Sequence, residues 1–329
     1  MVTIMDVARL AGVSPSTVSH VLNGKRPISE STKQRVHQSI RELGYEPNPN
    51  AQALRGSAAG IIGFLASDIT EFFSTLIIQG VEKVSISRNA YILFTSGVEF
   101  NNDLDAALAF LKKRRIDGLI LSYGIRRKLT FEGAAHLKIP VVTINTHLGK
   151  GIPSVEPDDY LAGCEAAKRL LERGVKKPCL IAGPKDRLAS EDRMEGFIHT
   201  LKMEGHTFDP ETRLVHGDFS VGSGKEGFLT LLERTRDMDG LFCANDFMAA
   251  GAIKAATDLK ITIPDQLKII GFDNREFGNF WSIPISTFAL PLFEMGRRST
   301  EILFDMMSGI KSTETQYLLP SQYIGRSSC

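Results

Sequence analysis

The chain has 329 residues, 43% hydrophobic and 23% charged, with a formal net charge of +1. That length exceeds one ordinary core, so a small head with a larger, divided body is the expected arrangement, and the composition is globular. No apolar run reaches membrane-spanning length, and the N-terminal segment is charged and amphipathic rather than a secretion signal, so a cytoplasmic protein with no membrane partner is expected. Charge is uneven along the chain. Residues 1–60 hold seven basic and four acidic residues, a net +3, while the remainder holds 32 basic and 34 acidic, a net −2, as expected of a head that meets phosphate and a body that does not. Cys164, Cys179, Cys243 and Cys329 have neither CxxC nor Cys/His spacing, so no metal site or disulfide framework is expected; they read as buried thiols, with Cys329 in a loose tail.

The first element is a helix opened by Thr3 and Asp6, which have the spacing of an N-cap and its third-position acid, with Val7, Ala8 and Leu10 as its apolar face. Gly12 supplies the positive φ of a tight turn, and a second helix follows at once, with Ser14 as cap, Pro15 at the first helical position, and Val18, Val21 and Leu22 on the buried side. Pro15, Ser16, Thr17, Ser19 and His20 are left at its start or outer face, where a helix-turn-helix meets the major groove. Residues 29–44 give a third helix, capped by Ser29, carrying Val36, Ile40 and Leu43, and ended by Gly44. Pro47 and Pro49 then break the helix, and Asn50 to Arg55 form a segment of about one and a half turns, too short to be stable alone in water. Within it, Leu54 follows the small residues Ala51 and Ala53, a pattern suited to two close copies with an apolar wedge in a minor groove.

After Gly56 the period changes. Short apolar runs at 61–67, 91–97, 118–124 and 140–145 alternate with amphipathic stretches at 73–88 and 103–115. A second set contains helices near 159–173, 191–204 and 247–258 and strands in 178–184, 240–246 and 268–274. This is the rhythm of two doubly wound parallel-sheet lobes. Ligands of such sheets collect beyond the carboxyl ends of the strands, where this chain places Ser67, Asp68, Asn145, Asn245, Asp246, Asp273 and Asn274. Arg193, from a helix start, and Phe72, Phe73 and Phe219, from loops, join them in a set that can bind hydroxyls and stack a flat or ring-shaped ligand. Enzyme signatures are missing: there is no P-loop, no GxGxxG after the first strand, no GxSxG and no HExxH, and SVGSGKEG at 220–227 lacks P-loop spacing. No catalytic residues, cofactor or metal are expected.

The stretches VSPSTVSHVLNG and NAQALR resemble the lactose-repressor (LacI/GalR) family of transcription regulators, and the likeness runs through SEDRMEGF, FCANDFMAAGAI, GFDN, IPISTF and LPSQYIGRSS. It implies a lambda-repressor-like helix-turn-helix head over 1–46, a hinge helix and linker over 47–58, and a periplasmic-binding-protein-like body over 59–329. Within the body, an N-lobe would comprise about 59–160 and 291–319, and a C-lobe about 161–290 and 320–329. By that resemblance Ser16, His20 and Arg26 read bases, Thr17, Ser19, Asn23 and Tyr45 position phosphates, and Leu54 is the minor-groove wedge. Pro15 departs from the family's polar or aromatic residue and offers only an apolar contact, for instance to a thymine methyl. The effector contacts implied are Asp68, Phe72, Phe73, Asn145, Arg193, Phe219, Asn245 and Asp273. Asn145 stands where many sugar-responsive members have aspartate.

The resulting expectation is a homodimeric, nucleoid-associated repressor on palindromic double-stranded operator DNA, governed by a small polar metabolite, a sugar or sugar derivative. A purine or nucleoside effector is the alternative within the family, and a periplasmic-type sugar-binding transport receptor the alternative outside it. The absence of a leucine-heptad tail after residue 326 argues against a coiled-coil tetramer.

Overall fold

The computed structural model describes residues 2–23, 27–45, 60–70, 72–122, 137–146, 148–149, 151–312 and 314–329. The chain divides into two compact units, Met1–Ile61 and Ile62–Cys329.

In the first unit α1 (Ile4–Ala11), α2 (Pro15–Asn23) and α3 (Glu30–Leu43) each bury one valine completely, Val7, Val18 and Val36, in a common core. The Thr3 backbone N–H and hydroxyl donate to the Asp6 carboxylate at 2.9 and 2.7 Å, and these bonds hold that carboxyl below its ordinary range. Ser14 Oγ accepts the Thr17 N–H at 3.1 Å and so caps α2. Gly12 and Gly44 close α1 and α3 at φ 64° and 60°, a left-handed conformation that glycine adopts without steric cost. One expectation fails here: Leu10 is 50% exposed. The buried stripe runs through Ile4, Val7, Ala8 and Ala11, which share one face at the helical period, and Leu10 lies off it.

The second unit contains two sheets. The six-stranded one has the order β2 (Tyr91–Ser96), β1 (Ile61–Ala66), β3 (Gly118–Ser122), β4 (Val141–Ile144), β5 (Ser154–Pro157) and β11 (Gln316–Leu319), parallel from β1 to β11. Against it pack α4 (Phe72–Ser87) and α12 (Leu292–Met307), with Phe64, Ile120, Val142, Met295 and Leu303 in one core. Among the described residues of this lobe, α5 (Leu104–Lys113) is a further helix, capped by Asp103 on the Ala106 N–H.

The four-stranded sheet has the order β7 (Leu214–His216), β6 (Pro178–Ala182), β8 (Gly240–Cys243) and β9 (Lys268–Ile270), all parallel. Strands β6, β8 and β9 are buried on both faces, and β7 is the half-exposed edge. Leu180, Phe242 and Ile270 point to α6 (Asp159–Glu172) and α7 (Leu188–Met203), while Cys179, Ile181, Leu241 and Ile269 point to α9 (Val221–Arg234) and α10 (Asp246–Asp258). This two-sided burial explains why the strands read as continuous apolar runs instead of alternating ones. Short elements α8 (Pro210–Arg213), α11 (Phe277–Phe280) and an antiparallel pair, β10 (Thr287–Ala289) with β12 (Gln322–Ile324), complete the lobe.

The helix pairs cross at glycines. A Cβ at Gly80 or Gly296, at Gly163 or Gly196, or at Gly224 or Gly251 would come closer than 3.0 Å to backbone atoms of the opposite helix, in α4 with α12, α6 with α7, and α9 with α10 respectively. The C-terminal residues are also built in. Cys329, expected in a loose tail, is 4% exposed and belongs to the core against α6 and α7, because Ser328 Oγ donates to the Ile269 carbonyl at 2.6 Å and ties the segment beneath β9. Among the described residues, no helix is long and apolar enough to cross a membrane.

Candidate functional site

In the head, α2 presents Pro15 and Ser16 exposed, with Thr17, Ser19 and His20 half-buried beside them. The Ser14 hydroxyl lies 2.7 Å from that of Ser16 and 2.8 Å from that of Thr17, so these polar groups are ordered on the first turn of the helix. Tyr45 packs partly against the head core. Arg26, Leu54, the hinge segment and the side chain of Asn23 lie outside the described residues.

In the body, both sheets reverse strand order, between β1 and β3 and between β6 and β8, and the crevice of such a fold opens beyond those strand ends. Arg193, from the early turns of α7, is 6% exposed there. Its Nε donates to Asp159 Oδ1 at 2.7 Å, its Nη1 donates to the Ala244 carbonyl at 2.7 Å, and its guanidinium lies 3.6 Å from the centre of the Phe272 ring. A charge-assisted bond at each end and a ring beneath hold the fork in one plane. Burial drives the Asp159 carboxyl above its ordinary value while Arg193 pulls the other way. The neighbouring Asp158 is the cap of α6, accepting the Leu161 N–H at 2.8 Å.

Asp273 follows β9 at φ 104°, 7% exposed. Burial pushes its carboxyl up to about 7, against the pull of Arg193, so near neutral pH it can either accept or donate a hydrogen bond. The loop beneath is clamped. Asp246 Oδ1 accepts from Thr287 Oγ1 at 2.6 Å and Oδ2 accepts the Arg275 N–H at 2.7 Å, while burial raises this carboxyl to about 6. Asn274 Oδ1 accepts from Arg326 Nη2 at 2.6 Å, which gives the C-terminal RSS stretch a defined task under the cleft.

Asn245 is committed inside the protein at both ends of its amide. Its Oδ1 caps α10 by accepting the Met248 N–H at 2.9 Å, and its Nδ2 donates to the Phe219 carbonyl at 3.0 Å. Its effect on the cleft is to hold Phe219, which sits at φ 70°. A Cβ at Gly183 would collide with the Phe219 ring and with the hydroxyl of Ser190, a residue 2% exposed whose Oγ has no partner among the described residues. Asp68 Oδ1 accepts both the N–H and the hydroxyl of Thr70, at 2.8 and 2.7 Å, bonds that lower its pKa and shape the loop before α4. Phe72 and Phe73 meet edge to face at 5.7 Å. Asn145 follows β4 at φ 55° with its side chain exposed.

Asn145, Phe219, Asp273 and Asn274 take positive φ at these strand ends and loops, a conformation that side chains other than glycine adopt at a cost. The structure brings Arg193 and Asp273 together and sets Phe219 on Asn245, while Asp68 and Asn145 stand at the ends of β1 and β4. Sequence reasoning missed Asp159, Ser190 and Arg275. Asp159 and Arg193 are separated by 34 positions, which leaves no local signal, whereas Arg275 directly follows the GFDN stretch and its position alone marks it.

Residues 3–48 match the family described as bacterial regulatory proteins, lacI family, and residues 167–329 match a periplasmic binding protein-like domain. The ribose operon repressor of Halalkalibacterium halodurans is 32% identical over 326 residues, covering 99% of this chain and 96% of that protein. Among solved structures, the lac repressor dimer bound to operator and the anti-inducer ONPF has 25% identity and a TM-score of 0.79, covering 99% of this chain and 98% of that one. The complex of the transcriptional regulator CelR with cellobiose has 27% identity and a TM-score of 0.72, with both chains covered completely. A helix-turn-helix head and a periplasmic-binding-protein-like body define a DNA-binding transcriptional regulator. The chain belongs to the LacI family of bacterial regulatory proteins.

Proposed function

We propose that the protein is a repressor that binds a palindromic operator as a homodimer and changes its hold on DNA when a sugar or sugar derivative occupies the cleft between the lobes. The observation that carries this reading is the pinned Arg193 fork beside Asp273, a planar donor and a carboxyl poised near neutrality, the pair that adjacent hydroxyls of a ring would engage. The names of the ribose operon repressor and of the CelR–cellobiose complex support the same ligand class. The protein would act on the nucleoid in the cytoplasm. Selection of duplexes from random DNA with the purified chain, followed by a metabolite screen for altered binding to the selected duplex, tests the proposal; failure to enrich any palindrome would overturn it.

On DNA, Ser16, His20 and Arg26 would read base edges, Thr17, Ser19, Asn23 and Tyr45 would meet phosphates, Pro15 would touch a thymine methyl, and Leu54 would enter the central minor-groove step. His20→Ala is expected to relax preference at one symmetric pair of bases by roughly 1–3 kcal/mol, measured by gel shift across single-base operator variants. A uniform loss on every variant would make His20 a phosphate contact.

Dimerisation would use the body, where the apolar helix α4 buries Ile77, Gly80, Val81 and Val84 against the N-lobe core and α12 and leaves Ile86 71% exposed on the face open to a twin. Next to it, edge strand β2 carries Tyr91, 63% exposed, and in the other lobe Phe280 is 82% exposed. Phe280→Asp should raise the dimer dissociation constant about tenfold or more, since a central aromatic anchor is worth upwards of 1 kcal/mol. Sedimentation at micromolar concentration reads the change, and an unaltered dimer would move the interface elsewhere.

A further inference from the structure

Among the described residues, Arg275 is a cleft cation whose Nε finds no hydrogen-bond acceptor. Its backbone is fixed, because the N–H donates to Asp246 Oδ2 at 2.7 Å. Its guanidinium is held among three rings, with centroids at 4.4 Å for Phe73, 5.0 Å for Phe72 and 5.1 Å for Phe247. Phe72 and Phe73 begin α4 in the N-lobe, whereas Phe247 and Arg275 belong to the C-lobe, so the group spans the crevice. Rings attract a guanidinium through its face and leave the in-plane N–H directions bare. Nε is buried without an acceptor, and its nearest carboxylate oxygen, Asp273 Oδ2, is 3.9 Å away, about 1 Å beyond a charge-assisted hydrogen bond.

The contrast with Arg193 is instructive. Arg193 has a carboxylate at Nε and a carbonyl at Nη1, so its charge is paired before any ligand arrives, and its remaining N–H groups are the ones left for hydroxyls. The remaining carboxyls do not balance Arg275. Asp159 is committed to Arg193, Asp246 to the Thr287 hydroxyl and the Arg275 backbone, and burial leaves Asp273 titrating near neutrality. A planar fork whose Nε makes no hydrogen bond, three aromatic neighbours and a positive charge offset only by a long ion pair match an oxyanion better than a neutral hydroxyl, because the anion accepts along two N–H directions and neutralises the charge.

We propose that Arg275 recognises an anionic group on the effector, which makes the ligand class a polyhydroxylated acid: the carboxylate of a sugar acid or the phosphate of a sugar ester. The hydroxyls would lie toward Arg193 and Asp273 and the anion in the plane of Arg275, between the aromatic walls. This assignment rests on the reading of the cleft as the effector site.

The test is isothermal titration calorimetry of the full chain with two matched series: ribose, its phosphate ester and ribonate, and glucose, its phosphate ester and gluconate. At least one anionic member should bind about tenfold or more tightly than its neutral parent, the gain expected of a charge-assisted pair, and added salt should reduce that advantage. The phosphate and acid arms show which oxyanion is read. Arg275→Gln should erase the advantage, lowering affinity for the anionic member about tenfold more than for its neutral parent, and Arg275→Lys, with melting temperatures checked for both variants, should restore part of it. Equal binding of neutral and anionic members, an advantage that survives Arg275→Gln, or no binding by any anionic member would each overturn the proposal. A neutral sugar that binds and releases operator DNA would remove Arg275 from specificity while keeping the repressor reading, and a chain that selects no operator would remove that reading whatever calorimetry shows.

Discussion

Arg193→Ala is expected to lower the stability of the body by roughly 3–5 kcal/mol, the usual cost of removing one partner of a buried ion pair, besides removing the response to ligand. Both side chains are almost inaccessible, 7% for Arg193 and 6% for Asp159. Truncation therefore leaves the Asp159 carboxylate in a dry site and the Ala244 carbonyl without the donor it has at 2.7 Å. In a protein of this size the loss corresponds to a fall on the order of 10 °C in melting temperature, measured calorimetrically on the free protein. The sign with pH follows from the carboxyl. Its pKa, already raised by burial, rises further once the guanidinium is gone, so the variant should be least stable at high pH and recover as Asp159 takes up its proton. A companion Arg193→Leu/Asp159→Leu chain, which removes both charges, should regain much of the stability and none of the ligand response. A single variant that melts like the parent would show that the pair orients a ligand contact without supporting the fold.

The same pair marks how much could be read from the chain beforehand. Strands β1, β3, β4 and β6 stand within two residues of their apolar runs, and β8 and β9 begin with theirs but stop three and four residues earlier, because parallel strands covered on both faces have few polar positions to blur the signal. The sequences of β5, SVEP, and β11, QYLL, do not show that signal. They pair with each other across about 160 positions, and a short, partly exposed segment at the sheet's far side is defined by its neighbour more than by its own pattern. In the cleft, strand-end residues were visible because polar side chains follow apolar runs. Their division of labour was not, since it depends on contacts distant in sequence: Asn245 turns inward to hold Phe219, and Asp246 fastens Thr287 and Arg275. Nor does any local pattern announce the positive φ of Phe219 or Asp273, both imposed by the loops around them.

Gly163→Ala carries the other large expected effect, and its sign discriminates. If Gly163 were an ordinary helical glycine, alanine would stabilise α6 by about 1 kcal/mol through propensity alone. The structure predicts the reverse. A Cβ at Gly163 would press on the carbonyl, carbonyl carbon and Cα of Arg193, backbone atoms that cannot rotate away, and Gly196 on the facing helix presses back on Tyr160 and Cys164 in the same manner. Relief requires α7 to move off α6, which costs about 1–3 kcal/mol for overpacking. The push is applied at the residue whose guanidinium must stay 2.7 Å from Asp159, so part of the ion pair's contribution is lost with it. We therefore expect a net destabilisation of about 3 kcal/mol, with weaker effector binding as a second consequence. Gly222, on α9, supplies the control, since an added Cβ there meets only Ser220 Oγ, at 3.7 Å. Gly222→Ala should leave stability unchanged or raise it by up to about 1 kcal/mol in the same denaturant titration. Two alanine variants moving the midpoint in the same direction would show that the α6–α7 crossing tolerates a methyl group, and that the position of Arg193 does not depend on how closely those helices approach.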